Sequence, residues 1–110
     1  MDLHWTEGAE AFVKRNLVEV LNEQLAGGYS HIQDWGWALG IIYRWDIEKC
    51  VRIIRQLKLP QADERNIIYY SLGLGIGSLA EKDREKAMQE TLKFNADIQY
   101  FIRKGINDFK

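Results

Sequence analysis

Apolar positions recur along this chain at intervals of three and four, the spacing that lines one face of an α-helix. No Asn-Gly or similar turn joins two alternating runs, so strand hairpins are not expected. The first predicted helix runs from about Glu7 to Ala26. Thr6 is placed to cap it, and Ala9, Val13, Leu17, Val20 and Leu21 lie on one face. Gly27-Gly28 stops it, because glycine accepts the left-handed conformation that closes a helix. A second helix follows Ser30 and ends near Trp45. It carries two stripes: Ile32, Trp35, Leu39 and Ile42 on one side, and Trp37, Ile41 and Trp45 on nearly the opposite one. A helix with two apolar sides is either sandwiched between neighbours or offers one side to a partner.

Asp46 is placed to cap a third helix, Ile47 to about Leu59, with Ile47, Cys50, Ile54 and Leu57 inward. Glu48, Lys49, Arg52, Arg55 and Gln56 face outward, and Pro60 ends it. The fourth helix spans about Ala62 to Ile76, with Asp63 and Glu64 at its positive end. It is also two-sided: Ile67, Tyr70 and Leu74 share one face, Ile68, Leu72 and Ile76 another. Gly73, Gly75 and Gly77 each cost a helix interior about 1 kcal/mol relative to alanine. Such a cost implies close approach of a neighbouring helix or an early helix end. Ser78 with Glu81 forms a capping-box pattern that starts a helix at Leu79. Ala80, Ala87, Thr91, Phe94, Ile98 and Phe101 then keep one stripe in phase. The pattern favours one long helix to about Lys104, stopped by Gly105, over a break at Asn95. The expected fold is all-α: a compact bundle of about five antiparallel helices joined by short loops.

Two stretches of this pattern repeat. Trp37-Ala-Leu-Gly-Ile-Ile-Tyr43 is followed by Asp-Ile-Glu-Lys-Cys50. Tyr70-Ser-Leu-Gly-Leu-Gly-Ile76 is followed by Asp83-Arg-Glu-Lys-Ala87. The pair resembles tetratricopeptide-repeat hairpins. That resemblance implies close packing at Leu39, Gly40 and Cys50, and at Leu72, Gly73 and Ala87, within two hairpins preceded by a leading helix and followed by a long C-terminal one. The order of parts is also similar to the cytosolic bundle of the mitochondrial fission adaptor family, through Glu23-Gln-Leu-Ala-Gly27, Trp37-Ala-Leu39 and Glu85-Lys-Ala87. Members of that family carry a hydrophobic tail anchor, which these 110 residues do not include.

Composition narrows the chemistry. The chain has 110 residues, the size of one domain, and 46% of them are hydrophobic, enough for one core. Fifteen Lys and Arg against 16 Asp and Glu give a net charge of -1, without the basic excess of a nucleic-acid binder. Cys50 is the only cysteine, so an intrachain disulfide is impossible and a cysteine-based zinc site is not expected. The start, Met-Asp-Leu-His-Trp, lacks the basic and apolar regions of a signal peptide. The longest uncharged apolar run, Ile67 to Ala80, is short for a membrane span. A cytoplasmic protein is expected.

Candidate catalytic features fail on context. The Gly73, Gly75 and Gly77 series lacks the preceding strand of a dinucleotide loop and the Gly-Lys of a P-loop. His4 and His31 are the only histidines, and His31 with Asp34 makes a poor metal or catalytic pair. Ser30, Ser71 and Ser78 are accounted for by capping or packing, and no acid stands on an apolar face. No enzyme activity, cofactor or metal is expected; a small helical hydrolase using His31 and Asp34 is the alternative. The basic stretch Arg44, Lys49, Arg52, Arg55 and Lys58 reads first as a solvated face.

The aromatics are the strongest remaining signal. Four tryptophans are present, three of them between Trp35 and Trp45. Tryptophan, tyrosine and arginine predominate among binding hot spots. Trp35 shares the Leu39 stripe and is assigned to the core. Trp37, Ile41, Arg44 and Trp45, with Tyr69, Arg52 and Arg55, form the expected partner-binding surface, unless Trp37 and Trp45 are core. The expected partner is a protein, bound by an adaptor or by an inhibitor such as an immunity protein or antitoxin that covers a toxin's active site. The same strip also suits a homodimer.

Overall fold

A computed structural model describes residues 18–19, 21–23, 25–27, 32–59, 61 and 63–109. The expectations on Thr6, Ala9, Val13, Leu17, Val20, Gly28, Ser30, His4, His31, Pro60 and Ala62 lie outside them. In the leading segment, residues 18, 19, 21–23, 25 and 26 are helical. Gly27 ends that helix, its N–H donating to the Glu23 carbonyl at 3.1 Å. Leu21 is buried, and Val18 and Leu25 pack against the core.

Five helices follow: α1 (Ile32–Ile42), α2 (Ile47–Arg55), α3 (Asp63–Gly77), α4 (Glu81–Glu90) and α5 (Ala96–Asp108). A 3-10 turn, Thr91–Lys93, separates α4 from α5. There is no strand among the described residues, so the fold is the expected all-α one. No described helix is long and apolar enough to cross a membrane.

The core takes one stripe from each element, as the periodicity implies. Ile47, Cys50, Val51 and Ile54 of α2 meet Ile68, Leu72 and Ile76 of α3, with Ala87 of α4 and Ile102 of α5. Burying a side chain of this size is worth about 1.5–3 kcal/mol. Helix α3 lies between α1 and α5, and glycine sets the spacing on both sides. On the α1 side, a Cβ added at Gly36 would stand 2.5 Å from the Ile68 carbonyl oxygen, and one at Gly40 would strike that of Leu72. On the α5 side, Gly73 and Gly105 face each other, each against the other helix's backbone.

These contacts also fix direction. From Gly36 to Gly40 the opposing residues advance from Ile68 to Leu72 and Ile76. From Gly73 to Gly77 they advance from Ile102 to Ile106 and Phe109. Helices α1, α3 and α5 therefore run parallel, side by side, and α2 and α4 carry the chain back between them. The closest packing is thus between alternate helices rather than between the antiparallel sequence neighbours.

Several boundaries differ from expectation. The single helix from Leu79 to Lys104 does not form. Phe94 is extended, and Asn95 caps α5, its side chain accepting from the Ile98 N–H at 3.0 Å. A cap bond offers the backbone a stable helix start here despite the continuous stripe. The Thr91 hydroxyl donates to the Met88 carbonyl at 2.6 Å, and the Gln99 amide donates to the Thr91 carbonyl at 3.3 Å, binding the two sides of the break. Asn95→Ala should cost about 1 kcal/mol. Urea unfolding followed by circular dichroism would register it as a lower midpoint with an unchanged slope.

Gly105 does not stop α5, which continues to Asp108; its role is the contact with Gly73. Ser78 makes no capping box. Its hydroxyl donates to the Gly75 carbonyl at 2.6 Å, closing α3, while Ala80 occupies the cap position of α4 without a side-chain bond. Helix α2 ends at Arg55 rather than Leu59. Beyond it, the Arg65 guanidinium donates to the carbonyls of Ile54 and Leu57 at 3.3 and 2.9 Å. A side chain thus satisfies carbonyls that a longer helix would have used.

Candidate docking surface

The turn between α1 and α2 is built from its own polar groups. Asp46 accepts from the Lys49 N–H at 3.1 Å, the expected N-cap. The Tyr43 N–H donates to the Leu39 carbonyl at 2.9 Å, and the Asp46 N–H donates to the Tyr43 carbonyl at 2.8 Å. Beneath the turn, the buried Cys50 thiol lies 3.5 Å from the Leu39 carbonyl and 3.9 Å from that of Tyr43, to both of which it donates. Burial, helped by the nearby Asp46 carboxylate, pushes this thiol well above the ordinary thiol range. Cys50 is a packing residue, and a thiol reagent should leave it unmodified in the native protein. Full modification should require denaturant, as thiolate is the reactive form; rapid labelling without denaturant would contradict this.

On this fixed turn sits Trp45, 55% exposed. Its indole N–H donates to Asp83, in the first turn of α4, at 2.8 Å. The Arg44 guanidinium lies 4.0 Å from the Trp45 ring and also donates to the Ile41 carbonyl at 3.0 Å. A second cation sits close by in sequence: the Lys49 ammonium is 4.7 Å from the Tyr43 ring. A stacked arginine and a hydrogen-bonded edge limit the motion of an indole that still shows half its surface to solvent.

Six of the seven expected surface residues separate into three pairs. Arg44 and Trp45 come together as described. Trp37 and Ile41 are half-buried, and the Trp37 ring lies 5.8 Å from that of Phe109. The stripe joining Trp37 to Trp45 is broken because α1 ends at Ile42, which swings Trp45 toward α4. Arg52 and Arg55 lie exposed on α2, with Arg52 4.0 Å from Glu48.

Tyr69 departs from its expected place. It is 2% exposed, part of the core, and offers nothing to a partner. Residue 69 stands one position past the fully buried Ile68, on the side of α3 turned inward. Burial raises its phenol pKa, against the opposing pull of Arg55 and Arg65. Trp35, by contrast, is core as expected.

Sequence reasoning missed two partners, Asp83 for Trp45 and Phe109 for Trp37. Each is distant in the chain, and neither pairing leaves a periodic signal. Among the described residues, no group of three His, Cys, Asp or Glu is placed to hold a metal ion. Compared with protein families, curated proteins and solved structures, the chain finds no match.

Proposed function

We propose that this chain is a non-enzymatic protein-binding module of the cytoplasm that docks a protein partner through the α1–α2 turn. The observation that carries the reading is Trp45, exposed yet held by Asp83 and Arg44. An indole fixed before binding loses little freedom on docking, so more of its buried area appears as affinity. Ile41 contributes through its carbonyl, which accepts from the Arg44 guanidinium. Arg52 and Arg55 are exposed on the adjoining α2, where charge mainly speeds association. Tyr69 no longer belongs to this surface.

The tetratricopeptide-like reading forms part of the proposal. Its support is twofold. Leu39, Gly40, Cys50, Leu72, Gly73 and Ala87 are all buried. The first helices of the two units also lie parallel and in contact through Gly36 and Gly40. Small residues at such positions allow neighbouring units to stack.

The test compares capture from a lysate of the source cells by the wild-type chain, Trp45→Ala and Leu92→Ala. Leu92 is 62% exposed and serves as the surface control. A band held by the wild type and Leu92→Ala but lost by Trp45→Ala supports the reading. Equal capture by all three removes it.

A further inference from the structure

At the end of α5, Asp108 and Phe109 reach across the layer of parallel helices. Phe109 leaves the helix in an extended conformation, φ -69 and ψ 129. Its Cβ lies 2.7 Å from where a Cβ at Gly77 would be, so the absence of a side chain on α3 makes room for it. Its ring meets Trp37 of α1 at 5.8 Å between centroids, with the planes tilted by 58°. The preceding carboxylate accepts from the Tyr70 hydroxyl at 2.9 Å and lies 3.3 Å from the Lys104 ammonium. One acidic and one aromatic side chain thus tie the end of α5 to α3 and α1.

The clasp lies at the surface. The Lys104–Asp108 pair lies within α5 and is exposed, where such pairs contribute little. Phe109 itself is only half-buried. Helix ends also open more readily than cores.

We propose that the seat formed by Trp37, Gly77, Tyr70 and Lys104 is a docking site for an acidic-aromatic segment of a partner protein, and that Asp108-Phe109 occupies it in cis as a competitor. The present occupant defines the chemistry. The indole and the bare backbone at Gly77 take a ring, and the tyrosine hydroxyl and lysine ammonium take the carboxylate before it. Ile67 and Leu74 share the α3 face that carries Tyr70, and both remain partly exposed, so neighbouring apolar residues of the segment have a place to lie. A tethered competitor acts at an effective concentration of millimolar order. Only a ligand with more contacts than the clasp, or a chain with the clasp loosened, fills the seat readily. This goes beyond the docking role given to Trp45 and requires none of its contacts.

The test uses the full 15N-labelled chain and a capped peptide copying residues 105–110. In Phe109→Ala, the Trp37 indole N–H signal should shift with added peptide and saturate at millimolar concentration. Wild type should need at least about tenfold more peptide, as an occupied seat requires. A peptide with alanine in place of its phenylalanine should shift nothing. If Phe109→Ala does not fold, Asp108→Asn keeps the ring and loosens the clasp, and should bind with intermediate affinity. Equal binding to wild type and variant, or no shift at Trp37 in the folded variants, overturns the proposal. Trp45→Ala in the same titration should behave as wild type, so failure of this inference and failure of the Trp45 reading give different results.

Discussion

Replacing Gly73 by alanine is expected to destabilise the domain by roughly 3 kcal/mol, the upper part of the usual overpacking range. In a solvent-exposed helix the same change would be favourable by about 1 kcal/mol. Here the new methyl would strike the Ile102 carbonyl and stand 2.9 Å from the Gly105 Cα. Those are backbone atoms, which cannot rotate away as a side-chain end can. Helix α5 would have to move as a unit, withdrawing Ile98, Ile102 and Ile106 from the core. At about 4–8 °C per kcal/mol for a domain of this size, the melting midpoint should fall by roughly 12–24 °C. Thermal melts followed by circular dichroism would measure it. Gly105→Ala should act alike, and the double variant should cost less than the sum, since both methyls force the same separation. An unchanged or raised midpoint would mean that α3 and α5 are not in backbone contact.

The second large effect concerns binding. Trp45→Ala should weaken partner affinity by about thirtyfold or more, equivalent to the 2 kcal/mol that marks a hot spot. The ring is exposed, so its removal from the free protein leaves no core cavity and the melting midpoint should move little. That combination distinguishes a docking residue from a core residue. Asp83→Ala should produce a smaller loss in the same direction, because it removes only the indole's hydrogen-bonded anchor. Titration calorimetry with the captured partner would give both values. A Trp45→Ala chain that melts far below wild type would instead identify the indole as structural.

The periodic features of the fold were legible because they repeat locally. The inward stripe of α2, the Asp46 cap, the buried Cys50 and Trp35, and the two-sided character of α1 and α3 all follow from helical spacing. The glycines of α3 announced a close neighbour for the same reason: their helix cost demands a return. The partner of Gly73, Gly105, was hidden, since a glycine near an expected helix end reads as a stop. Asn95 shows a competition the stripe could not decide, where a capping side chain outweighed continuous apolar phase. Tyr69 was misplaced because in a two-sided helix the residue between the stripes can turn either way. At the docking surface, Arg44 and Trp45 were legible as chemistry. Their geometry depended on Asp83, a contact made only once α4 has folded against the turn.

If the turn carrying Trp45 is a protein-docking surface, a photocrosslinker at that position must reach the bound partner. A benzophenone amino acid would replace Trp45 in one chain and Leu92 in another, with irradiation in a lysate of the source cells. A discrete adduct is expected from position 45, suppressed by excess unlabelled wild-type chain and absent from position 92. Matching adducts from both positions, or none from position 45 while the wild-type chain still captures its partner, would contradict it.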